Sequence, residues 1–360
     1  MIKSTFNNIR ISALATAVSS HWIPVEEFIS EQDEKNILKF KKNTGVEGRY
    51  DAASKQTTSD FCFAAAKKVL QYSQVDSNDI GILVFVTQTS DYRVPATACV
   101  LQHRLNLSED CIAFDVNQGC AGMIYAMNIG ACMLESSNVK KALVLFGDTS
   151  GKNHRRSIAR SYIPKDDNEA KLFGDAGVAM LLEKEDDAPK LDISIRTDGS
   201  GYKAIIEPRG YSRHYNGPRY SEMNGIDVFN FAIEKPPILI KELMDDIGTV
   251  PSDYDCLVLH QANKFIMKQV ARRSGFKSDQ NLISIDKFGN TSSASIATAL
   301  TKYYGEENDG AIKAMLCGFG VGLSWGVVSM TMDKKDILPL INTDEYFDDG
   351  FEDEEEDILE

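Results

Sequence analysis

The chain has 360 residues, of which 43% are apolar and 26% are charged. This is the composition of an ordinary globular protein, and it excludes collagen, a coiled coil and general disorder. The net charge is −14, but eleven of the 53 acidic residues lie in residues 344–360, and without that segment the net charge is only −3. A nearly neutral body gives no support for a nucleic-acid-binding function.

No apolar stretch of about 18 residues could span a membrane, and the N-terminal sequence MIKSTFNNIR has no basic segment leading into an apolar run. We therefore expect no membrane segment, no signal peptide and a cytoplasmic location. The seven cysteines are scattered without a CxxC pair. We expect neither a disulfide framework nor a zinc or other metal site.

Apolar runs bounded by turn residues predict strands, and amphipathic patterns between them predict helices. Apolar strands that alternate with such helices indicate an α/β protein whose sheets are covered on both faces. Long surface excursions are predicted at 150–170 and 203–226. In chain order the predicted elements are helix 57–73, strand 80–87, helices 95–105 and 120–136, strands 142–148 and 177–183, helix 228–247, strand 256–260, helices 262–274 and 292–304, and strands 311–320 and 322–332.

A weak internal repeat divides the chain. Three early segments are paralleled in the same order by three later ones, namely 77–90 by 251–264, 115–134 by 287–305, and 140–150 by 312–322. We infer two similarly wound halves, residues 1–185 and 186–335, that face each other and are followed by an acidic tail, 336–360, that we expect to be disordered. Polar strand ends and helix starts from both halves would then meet at one centre, where open α/β sheets bind ligands.

Cys120 lies in the sequence NQGCAG, directly before a helix of small apolar residues. Free N–H groups and the helix dipole at that position would lower the pKa of its thiol and favour a nucleophilic thiolate. The alternative is an ordinary buried cysteine in a helix. The glycine-rich residues 318–322 follow a predicted strand, and their backbone N–H groups could face an oxyanion beside Cys120.

Two further polar residues occupy positions at which the repeat predicts the central cleft. His260 ends the apolar strand CLVLH, and the ordinary pKa of histidine suits proton transfer near neutral pH. Asn290 lies in GNTSSAS, a turn into a helix that parallels the turn of Cys120. The alternatives are a core histidine with satisfied hydrogen bonds and an ordinary N-cap asparagine.

Together, these motifs resemble the ketoacyl-ACP synthase III family of thiolase-fold condensing enzymes over about residues 1–332. The resemblance rests on NQGCAG around Cys120, HQAN from His260, GNTSSAS around Asn290, GDAG at 174–177 and GFGVGLSWG at 318–326. It implies an α/β thiolase-like fold, in which two βαβαβαββ halves form a five-layered αβαβα core.

The resemblance also implies a mechanism. Cys120 would take an acyl group from acyl-CoA or an acyl carrier protein, and the N–H groups of Cys120 and Val321 would form the oxyanion hole. His260 and Asn290 would then bind malonyl-ACP, and the enolate formed with loss of CO2 would attack the acyl-enzyme. No cofactor and no metal are implied.

Further roles follow from the same resemblance. The acyl pocket would include Val94, Phe229 and Phe319, and Val94 would lie near the interface of a homodimer. The helix after HQAN would bind an acidic acyl carrier protein, although a solvated helix face is the alternative. The basic residues in question are Lys264, Lys268, Arg272 and Arg273.

The chain departs from the family pattern at four places. Residues 34–50 lack a Trp, and Asn43 stands where the family has an Arg that contacts the adenine of CoA. Phe265 replaces an Arg that meets the carrier protein. Val94 replaces a Phe, which would admit a longer or branched acyl group, and Val321 replaces a Gly. These changes indicate a specialised relative rather than the enzyme that primes fatty-acid synthesis.

Other functions remain open from the sequence. An acyltransferase would pass the acyl group from Cys120 to an alcohol or amine without releasing CO2, and a binding protein on the same fold would need no complete Cys/His/Asn set. HMG-CoA synthases share that set but use a glutamate where this chain has Gln88. The acidic residues 343–360 could mimic a carrier protein and compete for the basic helix, or they could simply be a solubilising end.

Overall fold

The computed structural model describes residues 2–28, 34–153, 171–208, 212–214 and 222–351. The predicted excursions at 150–170 and 203–226 lie partly outside these residues. Within the described part of the chain, the strands are β1 (Ser4–Phe6), β2 (Ile9–Val18), β3 (Trp22–Pro24), β4 (Gly48–Tyr50), β5 (Ile80–Val86), β6 (Ile112–Val116), β7 (Lys141–Asp148), β8 (Ala176–Lys184), β9 (Leu191–Thr197), β10 (Ile205–Ile206), β11 (Glu222–Met223), β12 (Cys256–Leu259), β13 (Ala311–Gly320), β14 (Ser324–Asp333) and β15 (Ile341–Asn342).

The helices in the same part of the chain cover the faces of the sheets. They are α1 (Val25–Phe28), α2 (Glu34–Thr44), α3 (Thr58–Ser73), α4 (Thr97–Arg104), α5 (Gly122–Glu135), α6 (Gly225–Ile247), α7 (Lys264–Ser274), α8 (Ile285–Phe288) and α9 (Ser295–Tyr304).

The first half of the chain builds most of a six-stranded sheet with the order β15-β2-β8-β7-β5-β6. β5 is parallel to β6 and β7, whereas β8 is antiparallel to β7 and β2. β5 and β7 are almost completely buried, because helices cover both faces of the sheet. This burial explains why both strands appear in the sequence as continuous apolar runs.

The second half repeats this arrangement in the order β9-β14-β13-β12, with β1 added at the β9 edge. β12 is parallel to β13, and β14 is antiparallel to β13 and β9. A parallel bridge joins Leu257 to Asn281, at the place that β6 occupies beside β5 in the first half. Polar ends of β5, β7, β12 and β13 therefore meet the starts of helices from both halves.

The layers follow from which helices touch which sheet. α3 packs on the outer face of the first sheet, and α6 packs on the outer face of the second sheet together with α7. α5 and α9 lie between the sheets and contact strands of both. The αβαβα core that the motifs implied is confirmed.

Each predicted helix and strand is found within about three residues of its predicted bounds, which is the usual uncertainty of helix ends. The sequence did not predict the longer strands β2, β6 and β9, the helix α2 or the short elements of two to four residues. β2 contains many small residues, and β6 is a half-exposed edge strand, so neither has a plain apolar run.

The prediction of a disordered tail from residue 336 is wrong for residues 336–351. Ile337 and Leu338 are buried, and the N–H of Leu338 donates to the carbonyl of Leu14. β15 then pairs with β2 in parallel. The apolar side chains that precede the acidic run supply this burial. Residues 352–360 lie outside the described residues.

Residues 343–351, which we call the C-terminal strap, continue across the first half. The side-chain amide of Gln56 donates to the carbonyls of Thr343 and Glu345. The N–H of Phe347 donates to Asp60, and the guanidinium of Arg104 lies 4.7 Å from the Phe347 ring centre. The strap therefore rests on α3 and α4 of the first half, whereas the basic helix α7 covers the second half. The carrier-protein mimic is contradicted for these nine residues.

Candidate active site

Cys120 stands two residues before the first residue of α5, at the junction of the two halves. It keeps some exposed surface. The end of β13 passes directly over it, because a Cβ atom at Gly320 would lie 2.7 Å from the Cys120 sulfur and one at Gly318 would lie 2.9 Å from the Cα of Ala121. The glycines of the GFGVG segment therefore allow the second half to approach the thiol closely.

The electrostatic environment of Cys120 corrects one expectation. Burial between the halves raises the pKa of the thiol to about 11, and the nearby carboxylate of Asp148 acts in the same direction. The backbone N–H of Val321 and the hydroxyl of Ser292 favour the thiolate, but they do not outweigh burial. The N–H groups at the start of the helix do act as predicted, but burial outweighs them, so the predicted low pKa is wrong for the unliganded protein and the thiol stays protonated at neutral pH.

His260 follows the last residue of β12, and its N–H donates to the carbonyl of Cys317 on β13. Its Nδ1 lies 2.7 Å from the hydroxyl of Ser295, and the ring of Phe319 meets it edge-on with the centres 5.6 Å apart. Burial lowers the pKa of His260 to about 4, so the imidazole is neutral at physiological pH. Neutral imidazole with a fixed Nδ1 can present Nε2 to a substrate.

Asn290 is buried at the turn before α9. Its carboxamide oxygen accepts a hydrogen bond of 2.9 Å from the N–H of Ser292, which leaves the NH2 group as the donor that can face a ligand. Its own N–H donates to the carbonyl of Leu172 in the first half. The carboxamide oxygen thus makes the hydrogen bond of an N-cap to the turn at Ser292–Ala294, as the alternative predicted, while the NH2 group stays available to a ligand.

Ser292 brings the three predicted residues together. Its φ of +49° is a left-handed conformation that non-glycine residues seldom adopt. In this conformation its N–H holds Asn290, its backbone opposes the lowering of the His260 pKa, and its hydroxyl favours the thiolate of Cys120. Sequence reasoning did not identify Ser292 or Ser295, although both lie in the GNTSSAS motif.

The HQAN motif has separate structural functions for its other residues. The amide of Gln261 donates to the carbonyls of Leu259 and Leu282 and accepts from the N–H of Ser284, so it ties the 281–285 segment to β12. Asn263 is the N-cap of α7 and accepts from the N–H of Ile266. These contacts fix the strand end that carries the histidine.

The predicted carrier-protein residues share one exposed helix, α7. Lys264, Lys268 and Arg272 follow one another at intervals of four residues, which places them on one face. Arg273 donates to the carbonyl of Ile233 on α6. None of the four forms an ion pair within the described residues.

The other predicted residues lie in different surroundings. Phe319 is buried against the imidazole. Phe229 is partly buried, and its ring stacks at 5.8 Å on Phe265, which is 54% exposed on α7. Val94 is 81% exposed in the loop after β5. Gln88, at the end of β5, borders Gly119 beside the cysteine.

The described residues contain neither a cluster suited to a metal ion nor a helix suited to a membrane. No group of three or more His, Cys, Asp or Glu side chains is arranged to hold a metal ion. No helix in that part of the chain is both long and apolar enough to cross a membrane.

Solved structures share this architecture. A 3-oxoacyl-(acyl-carrier protein) synthase from Burkholderia xenovorans LB400 superposes with a TM-score of 0.87 at 29% identity, covering 95% of this chain and 99% of that one. Synthase III from Pseudomonas aeruginosa PAO1 gives a TM-score of 0.78 at 25% identity, covering 91% and 98%. The five-layered fold and its central site define a thiolase-like condensing enzyme of the acyltransferase class.

The sequence comparisons are more specific. The family model of 3-oxoacyl-[acyl-carrier-protein (ACP)] synthase III matches residues 114–199, and that of its C terminal matches 244–332. Beta-ketoacyl-[acyl-carrier-protein] synthase III of Pectobacterium atrosepticum is 31% identical over 306 residues, which are 84% of this chain and 92% of that protein. The Clostridium perfringens enzyme is 31% identical over 313 residues, 84% and 91% of the two chains. The chain belongs to the 3-oxoacyl-[acyl-carrier-protein] synthase III family, as the motifs predicted.

Proposed function

We propose that this enzyme joins an acyl thioester to a malonyl thioester with loss of CO2, and that Cys120 is its nucleophile. The sulfur attacks the acyl carbonyl, and the thiol of the donor leaves with the cysteine proton. The acyl group is then held on Cys120 as a thioester. Two observations support this step: Cys120 is partly exposed, and next to its sulfur β13 has a glycine, Gly320, instead of a larger side chain.

Deprotonation of Cys120 would be coupled to arrival of the acyl donor, because burial raises the pKa of the free thiol. The charge of the tetrahedral intermediate would be held by the N–H groups of Cys120 and Val321. The N–H of Val321 favours the thiolate of Cys120, which supports this assignment, since the same group would lie close to the attacked carbonyl.

In the second half-reaction the carbonyl of the malonyl thioester would bind between Nε2 of His260 and the NH2 group of Asn290. As the bond to the carboxylate breaks, CO2 leaves and its electron pair passes into an enolate that both donors stabilise. The enolate carbon attacks the acyl carbonyl and displaces the Cys120 sulfur. This step requires the tautomer in which Nδ1 accepts the Ser295 hydroxyl proton and the imidazole carries its own proton on Nε2. This chemistry needs no cofactor.

One observation carries the proposal. Ser292 hydrogen-bonds Asn290 through its N–H, and it lies close enough to His260 and to Cys120 to influence the pKa of both. A thiol, an imidazole and a carboxamide from two halves of the chain therefore converge on one turn. A binding protein would gain nothing from this convergence.

We propose that an acyl carrier protein delivers the malonyl unit to the mouth of the site beside α7. Lys264, Lys268 and Arg272 form a basic face that suits an acidic partner. The ring of Phe229 on α6 stacks on the exposed Phe265 of α7, and we now assign Phe229 to this entrance instead of the inner acyl pocket. Acyl-CoA is the alternative acyl donor.

We propose a homodimer formed through β6. This strand is an edge of the six-stranded sheet, and Ile112 on it is 50% exposed. An edge with unpaired backbone groups and exposed apolar side chains favours pairing with a second copy. Val94, which is more exposed still, would then reach the acyl pocket of the partner, while Phe319 borders the pocket from within.

We also propose the two halves, 1–185 and 186–335, as the structural units of the chain, with the strap belonging to the first. The location would be cytoplasmic, as suits an enzyme supplied by acyl-CoA or a soluble carrier protein.

The test separates condensation from acyl transfer to an alcohol or amine. Purified enzyme and Cys120→Ala are incubated with a series of acyl-CoAs and acyl carrier proteins, and acylation is followed by intact-protein mass spectrometry. Malonyl carrier protein is then added, and CO2 and the 3-oxoacyl product are measured. If the enzyme condenses, wild type is acylated and then releases CO2, whereas Cys120→Ala is not acylated. Acylation without CO2 release would favour acyl transfer, and no acylation would contradict both.

A further inference from the structure

Asp148 is a buried carboxylate that the mechanism above does not use. It is the last residue of β7 and has no exposed surface. Within the described residues no Lys, Arg or His side chain forms an ion pair with it. Burial raises the pKa of this carboxyl group. A buried anion without a cation costs several kcal/mol unless hydrogen bonds compensate, so its position calls for an explanation.

The two oxygens of Asp148 serve different halves of the protein. Oδ1 accepts from the N–H of Gln88 at 2.7 Å and from the hydroxyl of Thr87 at 3.1 Å, both at the end of β5. Oδ2 accepts from the hydroxyl of Ser293 at 3.0 Å and from its N–H at 3.4 Å. The carboxylate therefore joins the first half to one residue of the second half.

Ser293 belongs to the turn that holds the carboxamide of Asn290. The preceding residue, Ser292, has the left-handed φ of +49° and donates its N–H to the Asn290 oxygen. On its other side Ser293 lies against the start of α5, since a Cβ atom at Gly122 would fall 2.8 Å from the Ser293 Cβ. A strained turn of this kind persists only where its surroundings hold it.

We propose that Asp148 is a positioning residue that fixes the turn at residues 292–293 and thereby orients the carboxamide of Asn290. The catalytic meaning of this orientation rests on the proposed function, whereas the placement of the turn does not. Asp148 touches no substrate in this proposal. It acts through two hydrogen bonds to Ser293 and the backbone that links that serine to Asn290.

Asp148→Asn is the decisive variant, because it keeps the shape but places an NH2 group where Asp148 accepts hydrogen bonds. We expect condensation to slow by about tenfold or more while acylation of Cys120 is not slowed, because only the second half-reaction uses Asn290. Asp192→Asn is the matched control, since Asp192 is 3% exposed and accepts from Thr5 away from the site. It should leave the ratio of the two rates at the wild-type value.

A double-mutant cycle with Asn290→Ala distinguishes positioning from a general effect on stability. If Asp148 acts through Asn290, Asp148→Asn slows condensation much less in the Asn290→Ala background than in wild type. Equal fold-losses in both backgrounds would overturn the proposal, as would a wild-type ratio of condensation to acylation in Asp148→Asn. Should Asp148→Asn fail to fold, Ser293→Ala replaces it, with a smaller loss of condensation expected in the same direction.

A crystal structure of Asp148→Asn, or of Ser293→Ala in its place, tests the inference without any assay of activity. We expect the 292–293 turn to move and the hydrogen bond from Ser292 to Asn290 to be lost. An unchanged turn overturns the inference. If the wild-type enzyme does not condense its substrates, the proposed function fails. The crystal structure of the variant then still shows whether Asp148 holds the turn in place.

Discussion

Phe347 tests how firmly the C-terminal strap docks on the first half. Its ring is 38% exposed, and the guanidinium of Arg104 lies 4.7 Å from the ring centre. Full burial of a Phe side chain contributes about 1.5–3 kcal/mol, so the buried part of this ring contributes about 1–2 kcal/mol, and the cation–π contact adds about 0.5–1 kcal/mol. We therefore expect Phe347→Ala to lower the free energy of unfolding by about 2 kcal/mol.

Urea denaturation followed by fluorescence and by circular dichroism measures this change. Phe351→Ala is the matched control, because Phe351 lies in the same strap but is 84% exposed. The control should change the free energy of unfolding by less than about 0.5 kcal/mol. If both variants unfold at the same urea concentration, the strap does not contribute through this contact and our reasoning about its docking is refuted.

Three further predictions concern the site and its entrance. The pKa of His260 is lowered to about 4 in the folded protein, and an unfolded histidine titrates near 6.5. Between about pH 6.5 and pH 4 the unfolded state therefore binds more protons than the folded state. The free energy of unfolding of wild type should fall by about 2 kcal/mol between pH 7.5 and 5, and denaturation of His260→Gln should not show this loss. Gly320→Ala would place a Cβ atom 2.7 Å from the cysteine sulfur and should reduce the acylation rate by about a hundredfold. Gly225→Ala is the control, because its Cβ atom would meet open space and should leave that rate unchanged. Equal acylation rates in the two variants would contradict the proposed approach to the thiol. Replacing both Lys264 and Lys268 by Glu should weaken carrier-protein binding, measured by fluorescence anisotropy, by about tenfold at low salt and by less at high salt. Acylation by acyl-CoA, measured by mass spectrometry, should not change.

The sequence alone determined the fold class, the order of the main elements and the three residues at the centre. Buried parallel strands such as β5 and β7 carry continuous apolar runs, so local composition identifies them. Cys120, His260 and Asn290 each lie where such a run ends or a helix begins, and the internal repeat indicates that these ends face one another. These signals are local or periodic, so they can be read from the sequence without information on distant contacts.

The tertiary structure decided what depends on contacts between distant residues. Burial between the halves, which no local motif encodes, outweighs the expected effect of the helix terminus on the pKa of Cys120. Ser292 and Asp148 acquire their positions only because β7 of one half meets a turn of the other. Phe229 stacks on Phe265 of a different helix, and residues 336–351 dock because β2 has a free edge for β15. Each outcome depends on packing across the fold, since the residues involved are far apart in the sequence.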